Sequence, residues 1–270
     1  MRQAPQVEVQ QLFHFHSNAL KREVRLDVYL PADYFSQPTT SYPVLLLNDG
    51  QDLERMQFSN ILQQLWERQQ IPPIIAIGIY AGDRMHEYGT SNRLDYKGRG
   101  SKAKGYSTFI RKELLPFLRK RYRCTPHAAE TAVAGFSLGG LSAFDLAWHH
   151  PDVFQKVGVF SGSFWWRYKA FNAADPDAHR VVHDLLKRSK KRAGLQFWLQ
   201  TGTNDEQEDR NNNGVIDAID DTLDLIKALE KLGYQNGRDI KYVEVMHGEH
   251  NPDTWGMIMP EFLKWGFGGR

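Results

Sequence analysis

The sequence predicts an α/β protein with a central, mostly parallel sheet and helices on both faces, and three observations point to it. Unbroken apolar runs such as Pro43-Val44-Leu45-Leu46-Leu47 and Ile74-Ile75-Ala76-Ile77-Gly78-Ile79-Tyr80 have the character of strands buried on both faces. Between such runs lie segments with helical spacing, as in Phe58, Ile61, Leu62 and Leu65. Finally, Thr131-Ala132-Val133-Ala134 passes straight into Gly135-Phe136-Ser137-Leu138-Gly139-Gly140 and a helix-like stretch over 141–148. Strands alternating with helices imply parallel neighbours joined by right-handed crossovers, with ligands bound beyond the carboxyl ends of the strands.

In chain order, 7–15 and 23–30 alternate as strands do and flank Ser17-Asn18-Ala19, so they are expected to pair antiparallel at a sheet edge. Strand 43–47, helix 58–69 and strand 74–80 follow, then a polar insertion and a helix over 107–122. After the 131–148 unit, strands are expected at 157–160, 195–200 and 240–245, and helices at 222–232 and 253–265. No repeat or low-complexity linker interrupts the 270 residues, so one domain, 1–270, is expected.

Composition narrows the function classes. Apolar residues make up 41% of the chain, enough for a sizeable core, and the formal charge is only +2. No arginine-rich stripe with interleaved aromatics marks a nucleic-acid partner. Cys124 is the single cysteine, which excludes an intrachain disulfide and argues against a cysteine-based zinc site. No apolar run reaches the roughly 18 residues of a membrane span. Met1-Arg2-Gln3-Ala4-Pro5 lacks an apolar core, so no secretory leader is read there and a cytoplasmic location is expected.

Gly-x-Ser-x-Gly between strand and helix is the signature of a nucleophile elbow, which presents a serine on a strained turn. A serine hydroxyl needs a base, and the base needs an orienting acid. In this type of fold they follow in the order Ser, Asp/Glu, His. Thr201-Gly202-Thr203-Asn204-Asp205-Glu206 follows one expected strand, and Met246-His247-Gly248-Glu249-His250 follows the next. The expected triad is Ser137, Asp205 and His250, with Glu206 and His247 as competitors for acid and base. The backbone amides of Leu138 and of Gln51, in the loop Asn48-Asp49-Gly50-Gln51-Asp52, are the expected oxyanion donors.

These residues resemble the putative-esterase, or esterase D-like, branch of the α/β-hydrolases over roughly 23–267. That branch includes enterobactin, feruloyl and acetylxylan esterases. Arg25-Leu26-Asp27-Val28-Tyr29-Leu30-Pro31 looks like its early strand, and Asn48-Asp49-Gly50-Gln51 like its oxyanion loop. Gly135 to Gly140 is similar to its elbow, and Ser161-Gly162-Ser163-Phe164-Trp165-Trp166 to the tract after the next strand. Gly202-Thr203-Asn204-Asp205 is similar to its acid loop, and Gly248-Glu249-His250 with Trp255 to its histidine loop. The resemblance implies an α/β-hydrolase fold, an esterase, and a small-molecule or glycan-linked ester substrate, with no cofactor for catalysis.

A second motif is Asp209-Arg210-Asn211-Asn212-Asn213-Gly214-Val215-Ile216-Asp217-Ala218-Ile219-Asp220, which follows the opening of an EF-hand loop. Its ligands to a structural calcium would be Asp209, Asn211, Asn213, Val215, Asp217 and Asp220. Aspartate replaces the bidentate glutamate at the last position, and the alternative is an acidic turn at a helix start. The basic loop 97–105 reads either as a solvated loop or as a lip for an anionic substrate. Arg84, Tyr88, Trp165, Trp166 and Trp255 are candidate walls of the substrate pocket. The expected function is a serine carboxylic-ester hydrolase. Siderophore and feruloyl or acetylxylan substrates are the alternatives within that class. A catalytically silent calcium-binding module is the alternative outside it.

Overall fold

A computed structural model of the chain describes residues 6–269, so the leader reading at residues 1–5 lies outside the described residues. Eight strands form one sheet in the order β1-β2-β4-β3-β5-β6-β7-β8. β1 (Glu8–Ser17) and β2 (Arg22–Leu30) pair antiparallel at the edge, as their alternation predicts. β2 also runs antiparallel to β4 (Ile75–Ile79). From β4 inward every neighbour is parallel: β3 (Val44–Asn48), β5 (Thr131–Phe136), β6 (Lys156–Phe160), β7 (Gln196–Asn204) and β8 (Ile240–Glu249). Every residue of β3, β4 and β5 is buried, which accounts for their unbroken apolar sequence.

The sheet is covered on both faces. On one lie α1 (Phe58–Glu67) and, from the far end of the chain, α8 (Pro252–Phe267); Phe58, Leu62, Met259 and Phe262 join Leu45, Leu47 and Phe160 in one core. The short α2 (Arg84–Glu87) opens the polar insertion. The expected helix 107–122 starts earlier, as α3 (Ala103–Thr108), passes through a π-helical turn (Phe109–Leu114), and ends as α4 (Leu115–Arg121). These helices share the second core with α5 (Leu138–His149), α6 (Val181–Lys187) and α7 (Asp217–Lys231). Among the described residues no helix is long and apolar enough to cross a membrane.

Three of the boundaries that differ from expectation bear on the site and the loop beside it. β7 continues beyond Gln200 to Asn204, and β8 beyond Val245 to Glu249, because the two strands keep pairing through a register shift after Gly202. His247 takes a left-handed φ of 57° at this irregularity, and its N–H is donated to Thr203 Oγ1 at 2.7 Å. α7 begins at Asp217 rather than 222, so Asp217 and Asp220 lie in its first turn, where carboxylates suit the positive end of the helix dipole.

Candidate active site

The site lies at the carboxyl ends of β3, β5, β7 and β8. Ser137 joins β5 to α5 with φ 53° and ψ −120°, a conformation costly for a side chain other than glycine. The turn is held from several sides: Ser137 donates its N–H to the Phe160 carbonyl at 2.8 Å, and its own carbonyl accepts from Gly140, Leu141 and Ser163. Gly135 is required by crowding. A Cβ there would stand 2.3 Å from the Gly139 carbonyl oxygen, so a side chain would push strand and helix apart. Ser137 Oγ hydrogen-bonds Ser163 Oγ at 3.3 Å.

The loop after β3 is bound tightly to this elbow. Asn48, fully buried, donates its amide to the Gly139 carbonyl at 2.7 Å and accepts the Tyr106 hydroxyl at 2.6 Å. Asp49 is also fully buried and takes both arms of the Arg84 guanidinium at 2.8 and 2.9 Å. Arg84 reaches on to the Phe136 carbonyl at 3.2 Å, so one cation ties the loop to the residue before the serine. Asp49, not Gly50, carries the left-handed backbone (φ 60°); Gly50 is needed because a Cβ would meet the Gly78 backbone at 2.6 Å. Within the described residues, no turn, loop or cap hydrogen bond uses the Gln51 or Leu138 N–H. Leu138 opens α5, where the first amides lack intrahelical partners.

Asp205 follows β7 directly and is buried. Its Oδ1 accepts the Ser161 hydroxyl at 3.1 Å, while Oδ2 is buried with no hydrogen-bond partner among the described residues. Burial pushes its pKa up, against the Gly202 backbone, the Ser161 hydroxyl and the charge of His250. His250 lies just beyond β8 and remains open to solvent, with its ring at 79° to Trp255 and 5.3 Å away. Desolvation on its packed side lowers its pKa; Asp205 opposes that shift and Arg84 adds to it. The carboxylate and the imidazole therefore each act electrostatically on the other. No hydrogen bond among the described residues joins His250 to Ser137 or to Asp205; such contacts are often long before substrate binds.

The competitors are placed elsewhere. Glu206 is pushed up to about 7 by burial, with Asp217, Glu208 and Asp221 adding to the shift. His247 is exposed and bonded through its backbone to Thr203.

The expected pocket walls divide. Trp165 is partly exposed. Tyr88 and Trp166 are fully buried, a correction to their reading as walls: apolar packing has taken both into the core. The Tyr88 hydroxyl accepts the Asp49 N–H at 2.9 Å, and Trp166 lies under the Arg99 guanidinium, 4.9 Å from its ring centre. Trp255 is buried too, with its indole N–H donated to Ser161 Oγ at 2.9 Å. In the basic loop, Arg99 is paired with buried Asp95, and Lys102 with Asp83 at 2.9 Å. Ser161 and Ser163 join the site through Asp205 and Ser137, and their one local signal in the sequence is a pair of small polar residues directly after a buried strand.

The loop 209–220 closes on itself. Asp209 accepts the Asn213 and Gly214 amides, and Asp220 Oδ2 accepts side-chain amides from Asn211 and Asn213 at 2.9 and 2.8 Å. Asp217 is ion-paired with Arg210 at 3.0 Å. Val215 donates its N–H to Asn213 Oδ1 at 2.8 Å. Among the described residues no three His, Cys, Asp or Glu side chains gather as a metal-ligand set.

A mostly parallel sheet with a strained serine between strand and helix defines an α/β-hydrolase. The Bacillus subtilis protein YjcH is 26% identical over 251 residues, covering 93% of this chain and 94% of that protein. The iron(III) enterobactin esterase of Escherichia coli K12 is 28% identical over 202 residues, 74% of this chain but 46% of the enzyme, so this chain spans about half the length of that relative. The structure of the Shigella flexneri enterobactin esterase in the presence of enterobactin superposes with a TM-score of 0.77 at 25% identity, over 98% of this chain and 60% of that one. The model of the family described as putative esterase matches residues 17–265, and the chain belongs to that family.

Proposed function

We propose that the protein is a serine carboxylic-ester hydrolase working through an acyl-enzyme. The observation that carries this is Ser137, held at φ 53° between β5 and α5 in an esterase-family chain, with Asp205 and His250 acting electrostatically on each other at the same end of the sheet. Ser137 Oγ turns from Ser163 to the ester carbonyl as His250, neutral near pH 7 because its pKa is lowered, takes the proton. The oxyanion gathers the Leu138 and Gln51 amides, which no turn or loop bond uses. Asp205 Oδ2, the carboxylate oxygen without a partner, is the acceptor left for an imidazole N–H. His250 then protonates the leaving alcohol, and a water activated by the same base releases the acid.

Within this class, the enterobactin-esterase relatives favour a siderophore-type polyester over a feruloyl or acetylxylan ester. The silent-module alternative predicts no covalent adduct with a fluorophosphonate. The test is hydrolysis of a short aryl ester. Ser137→Ala should lose at least about 10³-fold in kcat, and wild-type turnover by that variant would overturn the mechanism. For the loop 209–220 we propose at most a weak calcium site. A cation there must displace existing amide and Arg210 partners, which puts its affinity at about 10⁻⁴–10⁻³ M.

A further inference from the structure

One indole packs against the residue before the nucleophile and against His250, and reaches Asp205 through Ser161. Trp255 stacks on Phe136, the residue before the nucleophile, at 5.0 Å and 20°. Its ring also meets the His250 ring at 5.3 Å. Its N–H reaches Ser161 Oγ at 2.9 Å, and Ser161 Oγ stands 3.1 Å from Asp205 Oδ1. The direction of this chain is settled by chemistry. An indole nitrogen only donates, so Ser161 Oγ must accept from Trp255. Its proton is then free for the carboxylate, which can only accept when ionised. Both side chains are buried, so water does not compete for either bond. Ser161 itself is held at φ 48° at the end of β6, with its N–H on the Gln200 carbonyl at 2.8 Å. Asp205 is thereby anchored by one oxygen, and its other is left bare.

We propose that Trp255 and Ser161 are positioning residues, forming a donor relay that fixes the Asp205 carboxylate so that Oδ2 is presented to His250. This rests on the reading of Asp205 and His250 as acid and base. The relay would also moderate the pair: the Ser161 hydrogen bond draws charge from the carboxylate and so limits how tightly Asp205 holds a proton on the imidazole.

The test uses two variants that break the relay at different bonds. Ser161→Gly removes the hydroxyl and tolerates the left-handed backbone. Trp255→Phe keeps an aromatic ring against Phe136 and His250 but has no N–H. Ser161→Gly should lower kcat for an aryl ester about tenfold, the worth of one charge-assisted hydrogen bond, and Trp255→Phe, which loses a bond between neutral groups, about threefold, both with KM unchanged. His250, followed by NMR titration, should shift upward by several tenths of a pH unit in both. The shift from Ser161→Gly should vanish in an Asp205→Ala background, because the relay acts only through that carboxylate. Unchanged kcat and an unmoved His250 titration in both variants would overturn the relay. An equal shift in the Asp205→Ala background would overturn it too. If Ser137→Ala stays active, the esterase mechanism itself fails. If Ser137→Ala is inactive and the relay variants are silent, only the relay fails.

Discussion

Replacing Glu206 with glutamine should change how stability depends on pH. Glu206 Oε1 is buried without a hydrogen-bond partner, and burial raises the carboxyl from its ordinary 4.5 to about 7. Folded protein therefore keeps this proton up to about pH 7, whereas the unfolded chain releases it near 4.5. Its contribution to stability is fully present below 4.5 and is lost as pH rises to about 7. At about 1.4 kcal/mol per pH unit, the gap between those values bounds the loss at roughly 3 kcal/mol. The carboxyl is only partly buried, and solvent screening reduces this to about 1–2 kcal/mol. Histidines oppose the trend: burial lowers His150 to about 4 and His183 to about 3, so they add stability as pH climbs toward 6.5. The informative quantity is therefore the difference between wild type and Glu206→Gln, which cancels them. Urea unfolding at pH 4.5 and pH 8 should show the variant gaining about 1–2 kcal/mol on wild type between the two. A difference that is the same at both pH values would refute the argument that Glu206 is buried with its proton.

Asn48→Ala takes the side-chain donor from the Gly139 carbonyl, which keeps its helical bond within α5, and removes the acceptor of the buried Tyr106 hydroxyl. At about 1–3 kcal/mol for the hydroxyl that loses its acceptor and about 0.5–1.5 kcal/mol for the other hydrogen bond, the unfolding free energy should fall by roughly 1.5–4.5 kcal/mol, and a loss under 1 kcal/mol would mean that the elbow does not depend on this clamp. The acid limb of kcat/KM should lie below 6.5, since desolvation lowers His250, and Asp205→Asn should move it lower still by removing the charge that opposes that shift; an upward move would show that Asp205 does not act on His250. Chelator-treated protein should keep its Tm, whereas calcium at about 10 mM should raise it by about 2–5 °C. Asp209→Ala should abolish that rise, and a rise that survives it would place the ion elsewhere.

Much of the fold was legible because its signals are local. Double-faced burial makes β3, β4 and β5 uniformly apolar, and the elbow needs glycine where backbone meets backbone, as at Gly135. The order of serine, acid and histidine along the chain could be read for the same reason, because each follows a recognisable strand. The ambiguities were of another kind. Asp205 and Glu206 are adjacent and equally acidic, and only their surroundings separate one beside Ser161 and His250 from one among Asp217, Glu208 and Asp221. Tyr88 and Trp166 have the composition of pocket walls but lie in the core. The π-helical turn at Phe109–Leu114 and the short α6 left no periodic mark strong enough to read.

By itself the sequence determined the sheet, its helical cover and the serine elbow, since these depend on side chains a few residues apart along one strand or turn. The tertiary structure alone decided which carboxylate interacts with His250, that Arg84 clamps Asp49, and that Trp255 reaches Ser161 across 94 residues of chain. Those pairings come from strands and helices meeting in space, where burial and hydrogen-bond reach act without regard to sequence separation.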